Sequence, residues 1–206
     1  MSVGDASDPL VADALQAALG KSIIGREIVV LEETTSTNDA VLRLATSGAG
    51  EGFVVFAEHQ TAGRGQRGNR WESAPRKGLW FSILLRPKIE LAESVRLVAW
   101  ATETIADTIQ SEFSLAAIIK APNDVHVSEK KIAGVLVEMR AQEKAAHLAI
   151  AGIGINLNQS AQDFPQDLRA RATSVAMALD QAVDRQKFAI ALLRNLDRSY
   201  RELLAP

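Results

Sequence analysis

An α+β fold, with a mixed and largely antiparallel sheet flanked by helices, is predicted by three features of the sequence. Strand-like runs outnumber helical patterns, several strands between residues 117 and 155 follow one another with no helix between them, and the helical patterns each carry a single apolar face. The strand-like runs are 28–31, 53–57, 79–85, 117–119, 132–139 and 148–155, rich in Val, Ile, Leu and Phe. One helix is expected from Leu91, Val95, Val98, Thr102, Ile105 and Ile109, spaced by four and three. A second follows Asp184, a candidate N-cap, and runs through Leu192, Leu196, Tyr200 and Leu203. A third, shorter helix is expected to start at Ser36 or Thr37, whose hydroxyls can cap free N–H groups, and to bury Val41, Leu44 and Ala45.

At 206 residues the chain has room for one domain with a full core, against a typical size of roughly 150 residues. With no internal repeat or linker-like tract, residues 1–206 read as a single domain. Hydrophobic residues at 47% against 23% charged exclude a disordered chain, and a net charge of −2 gives no general attraction to DNA or membrane. The absence of cysteine excludes disulfides, thiolate nucleophiles and cysteine metal sites. The first nine residues lack the basic-then-apolar pattern of a leader, and no apolar run nears the ~18 residues of a membrane span. A cytoplasmic protein is the expectation.

Residues Gly63-Arg64-Gly65-Gln66-Arg67-Gly68-Asn69-Arg70-Trp71 place three glycines and three arginines in nine positions, just after an apolar strand and Gln60. Glycines let the backbone approach a ligand closely, and arginine forks pair with phosphate or carboxylate oxygens, so a loop closing on an anion is one reading. A solvated basic turn and an RGG-like segment that binds RNA are the others. No Gly-Lys-Ser/Thr follows, so it is not a Walker A loop. Lys120-Ala121-Pro122-Asn123-Asp124 reads as a proline turn between strands, ordinary unless Lys131 is considered with it. By period two, Lys131 shares a strand face with Ala133, Val135 and Val137. There it needs an anionic partner unless it snorkels to water. Gly134 beside it marks close approach of a ligand or another part of the chain. Ser36-Thr37-Asn38 and Gly152-Ile153-Gly154-Ile155-Asn156 set polar groups beside free backbone groups, and alone are a helix start and a strand end. His59, His126 and His147 lack metal-ligand spacing and read as surface or strand-edge residues.

Taken in order, Ser36-Thr37-Asn38, Glu58 to Gly65, Arg67-Gly68, Trp71, Lys120, Pro122-Asn123-Asp124, Lys131, Ala133-Gly134 and residues 152–157 resemble the biotin protein ligase family. The likeness runs from about Ile28 to Ser174 and includes Phe164-Pro165 and Ala172-Thr173-Ser174. The resemblance implies a fold related to lipoate ligases and class II aminoacyl-tRNA synthetases. It also implies an enzyme that forms biotinyl-AMP from biotin and ATP and passes biotin to a lysine of a biotin carboxyl carrier protein. Magnesium is implied with the ATP, and a homodimer is left open. Biotin would be bound by Ser36, Thr37, Asn38, Gln60, Gly63, Arg64, Gly65, Gln66, Lys131 and Gly134. ATP would be bound by Arg67, Arg70, Trp71, Lys120, Asn123, Lys131 and Asn156. Lys131, Arg64 and Asp124 would be catalytic: Lys131 bridges the carboxylate and the α-phosphate, and Asp124 orients magnesium or the incoming lysine amine. No metal-ligand set is implied.

Two positions depart from the family pattern. Ala121 stands where tryptophan is usual, and Gln66 where arginine is frequent. The length leaves no room for a full C-terminal β-barrel, and no N-terminal helix-turn-helix precedes the core, so binding to DNA is not expected. A lipoate or octanoate ligase is the sister reading, and a non-catalytic module that holds biotin or RNA is a different class.

Overall fold

In a computed structural model, which describes residues 9–141 and 147–205, the apolar runs close into one seven-stranded sheet. The strands are β1 (Glu27–Thr34), β2 (Phe53–Gln60), β3 (Gly78–Leu85), β4 (Ala117–Lys120), β5 (Asp124–Val127), β6 (Lys130–Arg140) and β7 (Leu148–Asn156), in the order β1-β2-β3-β7-β6-β5-β4. β1 and β2 are parallel and joined through helix α2 (Thr37–Thr46); the other neighbours are antiparallel. Helices α1 (Ala12–Leu19), α3 (Val95–Phe113), α4 (Val175–Leu179) and α5 (Arg185–Leu203) complete the chain.

Alternation along the strands divides the side chains between two faces. Leu79, Phe81, Ile83 and Leu85 of β3 and Ile153 and Ile155 of β7 join Leu97 and Ile105 of α3 and Leu192 and Leu196 of α5 in the main core. On the opposite face, α2 sets Ala40 and Val41 against Phe53, Val55, Leu84, Leu148 and Ile150. α2 has ten residues and packs chiefly on β2, β3 and β7. The cavity lies on the rest of that face.

A buried ion pair ties the ends of the chain to the sheet. Arg185, the first residue of α5, grips Glu58 of β2 at 2.8 Å with both side chains 2% exposed, and the backbone N–H of Leu10 donates to the same carboxylate at 2.7 Å. Contact of each charge with its counter-ion is what makes such burial tolerable.

The structure corrects several expectations. α3 begins at Val95, after a 3-10 turn at Leu91–Glu93, so Leu91 and Val95 are exposed and the buried stripe starts at Leu97. Ser36 occupies the N-cap position of α2 but makes no side-chain cap, and the Thr37 hydroxyl turns to Gln60 and Ser82. α1, α4 and β5 were not expected. α1 has one fully buried side chain, Leu15, and eight residues are too few to display a period.

The face assigned to Lys131 is also corrected. His126 pairs with Lys131 and Val125 with Ala133, so Ile132 is an extra residue in β6 and the alternation shifts there. Ala133, Val135 and Val137 pack in the core, whereas Lys131 joins Gly134 and Leu136 on the cavity face.

Candidate functional site

The α2 side of the sheet holds a cavity of about 350 Å³, joined to a second of about 620 Å³ by shared walls at Asn69, Arg70, Trp71, Lys120, Asp124 and Lys131. The first is bounded by the start of α2, the glycine-arginine loop and the middle of the sheet. The second opens under residues 164–172.

Glycines make the sheet part of this wall flat. A methyl group at Gly152 would collide with the Asn38 side chain, and one at Gly154 with the Trp71 indole; at Gly134 it would stand 2.9 Å from that ring and 3.1 Å from Lys131 Cε. The close approach that Gly134 signalled is therefore made by the protein's own Trp71 and Lys131. Trp71 also meets Trp80 edge-on at 6.0 Å between ring centres.

One end of the first cavity is a buried hydrogen-bonded group. The backbone N–H and hydroxyl of Thr37 both donate to Gln60 Oε1, at 2.9 and 3.1 Å, and the Ser82 hydroxyl lies 2.7 Å from Thr37 Oγ1 and 2.6 Å from Asn38 Oδ1. Ser36, Thr37, Asn38 and Gln60 are all at most 9% exposed yet line the cavity. Such an array of fixed donors and acceptors in an enclosed wall suits a compact polar ring.

The other end is charged. Lys131 Nζ lies 2.7 Å from Asp124 Oδ1 and 5.3 Å from the centre of the Trp71 ring. The anionic partner that the sequence demanded of Lys131 is thus Asp124, with a cation–π contact added. Above, Gly63 to Trp71 form a tight loop: Gly65 N–H donates to Asn69 O at 2.7 Å and Trp71 N–H to Gly63 O at 3.0 Å, with Arg67 in the left-handed region at φ 58°. Arg64 binds Asp39 Oδ2 at 2.6 Å and Glu138 Oε2 at 3.2 Å, so the loop is tied to both α2 and β6. Its guanidinium holds the Asp39 carboxyl below the usual range, and Asp39 in turn raises Arg64.

The structure brings Ser36, Thr37, Asn38, Gln60, Arg64, Gly65, Gln66, Arg67, Asn123, Gly134 and Lys131 to the first cavity. Arg70, Trp71, Lys120 and Asp124 border both, and Asn156 borders the second. Gly63 lies beneath, where a methyl group would meet Trp71 O at 2.6 Å. Asn123 donates to Val135 O at 3.0 Å, and Asn156 donates to Thr173 O while accepting from Gln159. His126 sits on the strand next to Lys131 and borders the second cavity. Sequence reasoning missed Ser82, Asp39 and Glu138. The last two carried a signal, because a loop rich in arginine needs carboxylates near it when no ligand is bound.

Residues 30–156 match the model of the biotin/lipoate A/B protein ligase family. The chain is 34% identical over 190 residues to the bifunctional ligase/repressor BirA of Bacillus subtilis, covering 92% of this chain and 58% of that protein. It is 34% identical over 182 residues to the biotin--[acetyl-CoA-carboxylase] ligase of Mycobacterium tuberculosis, covering 84% and 63%. It therefore spans somewhat over half the length of these relatives. Among solved structures, the fold is similar to the biotin protein ligase of Aquifex aeolicus in complex with biotin and ATP, with a TM-score of 0.72 and 29% identity over 86% of this chain and 71% of that one.

Proposed function

The chain belongs to the biotin/lipoate A/B protein ligase family, and on that premise we propose that it is the catalytic domain of an ATP-dependent biotin protein ligase. Biotin's carboxylate attacks the α-phosphate of ATP and pyrophosphate leaves; a lysine amine of a carboxyl carrier protein then attacks the mixed anhydride and AMP leaves. The observation that carries this reading is the pairing of two unlike ends in one cleft: the enclosed array of Thr37, Asn38, Gln60 and Ser82, and the Lys131 ammonium beyond the glycine wall.

The ureido ring of biotin, with two N–H donors and one carbonyl acceptor, matches the enclosed end. Its carboxylate then points toward Lys131. There two mutually repelling anions are drawn together, and charge building in the transition state is neutralised. Asp124, now paired with Lys131, hands the ammonium over to those anions and is left free to accept a hydrogen bond from the incoming amine. Arg67, Arg70 and Lys120 supply positive charge along the nucleotide's path. Lipoate lacks the ureido group and would set an apolar ring against the spare hydrogen-bonding capacity of this wall, which disfavours it. Magnesium would enter on the ATP. It would be held chiefly by phosphates and water.

The purified protein, given ATP, labelled biotin and a carrier domain, should attach biotin to one carrier lysine. Lys131→Ala should abolish biotin-dependent pyrophosphate release with its thermal midpoint within a few degrees of the wild type. Attachment of lipoate and not biotin would overturn the substrate, and unchanged release from the alanine variant would overturn the role of Lys131.

A further inference from the structure

Lys131 lies beyond the reach of β7. The last pair between β6 and β7 is Ala133 with Ile155, so neither backbone group of Lys131 has a partner in β7. Residues 171–173 take β7's place: Lys131 N–H donates to Arg171 O at 2.8 Å, and Thr173 N–H donates to Lys131 O at 2.9 Å, in a parallel bridge centred on Ala172. This bridge adjoins the extra residue Ile132, the irregularity that turns Lys131 from the core to the cavity.

The bridge is itself held from behind. Asn156, the final residue of β7, donates through Nδ2 to Thr173 O at 3.0 Å, and its Oδ1 accepts from Gln159 Nε2 at 3.0 Å. Ser174 Oγ donates to Gln159 O at 2.6 Å and accepts from Met177 N at 3.1 Å, joining the turn to the start of α4. Gln159, Asn156, Thr173 and Ser174 are 2%, 4%, 6% and 0% exposed, and Gln159 borders neither cavity. An asparagine amide can rotate about a broad terminal torsion, so its direction here depends on the group that donates to its oxygen.

We propose that Gln159 is a positioning residue for Lys131, acting through the side chain of Asn156 and the backbone of Thr173. The inference rests on the reading of Lys131 as the residue that bridges carboxylate and phosphate. Without the Gln159 amide, Asn156 is free to turn, Thr173 loses its side-chain donor, and the segment that replaces β7 beside Lys131 slackens. A shift on the order of 1 Å at a reacting group can lower a rate by ~100-fold.

The test is biotin-dependent exchange of pyrophosphate into ATP by wild type, Gln159→Leu and Gln159→Met, which is close to glutamine in length and likewise lacks the donor. Both variants should lose about tenfold in kcat while KM for biotin and for ATP stays within about twofold, a division that general loosening of the fold does not produce. Should Gln159→Leu fail to fold, Gln159→Met carries the comparison. A raised KM for ATP with kcat retained would overturn the proposal in favour of Asn156 being aimed at the nucleotide, and unchanged kinetics would overturn it outright. A wild type that catalyses no exchange would instead overturn the ligase reading.

Discussion

Gln66 shows how one side chain can alter a site most of whose parts follow the family pattern. It is half-buried at the edge of the first cavity, in a loop that already contains three arginines. Two of these are engaged: Arg64 with Asp39 and Glu138, and Arg70 with Glu72 at 3.1 Å. An arginine at 66 would offer the adenylate phosphate charge-assisted hydrogen bonds of roughly 1.5 to 3 kcal/mol, against about 1 for neutral glutamine. A difference of ~1.4 kcal/mol is tenfold in retention. Gln66→Arg should therefore slow escape of biotinyl-AMP about tenfold and reduce stray biotinylation of bystander lysines. Side-by-side dissociation rates decide it: equal or faster release from the arginine variant would mean that the neighbouring arginines already hold the phosphate.

At the scale of elements, the glycine-arginine loop, α2 and β6 meet through one guanidinium. Because Arg64 lowers the Asp39 pKa, the tether is complete above the unfolded carboxylate value near ~3.9 and is lost as pH falls through the lower folded value. Both partners are more than a third exposed or close to it, so the pair contributes about 1 kcal/mol at most. Asp39→Asn should copy the acid state at neutral pH, raising cleavage after Arg67 in ligand-free protein by up to about fivefold, and biotin with ATP should suppress cleavage in both proteins. Identical cleavage rates for the variant and the wild type without ligand would remove Asp39 from this role. The loop, the proline turn and Lys131 were legible beforehand, because each is a local pattern of residue types. The bulge at Ile132 was not, since the segment beside it lies some 40 positions away and nothing near Lys131 announces it. Trp71 against Gly134 was half-legible, since that glycine signalled a close approach without saying by what; Gly154 gave no such signal.

For the whole molecule, period-two and helical patterns were enough for the α+β class, because a strand or a long helix that buries one face must display it in sequence. Strand order was beyond reach, since the neighbour of β3 is β7, more than 60 residues on. What joins such distant pieces is best tested at Glu58 and Arg185, which connect β2, the start of α5 and the segment before α1. Arg185 reaches Glu58 through Nη1 and Nη2 and also donates to Gly78 O at 3.1 Å. Removing one partner leaves a buried charge with no counter-ion, which costs about 3–5 kcal/mol, whereas exposed pairs such as Arg171 with Asp167 contribute about 0–1. With roughly 2–4 °C lost per kcal/mol for a domain of this size, Arg185→Leu should lower the thermal midpoint by roughly 6–20 °C. Arg185→Leu with Glu58→Met removes the stranded carboxylate and should regain part of that loss, although Leu10 N–H and Gly78 O then go without these partners. Thermal denaturation of wild type, single and double variants provides the comparison. A double variant no more stable than the single would show that the penalty comes from lost packing and lost backbone hydrogen bonds, and not from an unpaired charge.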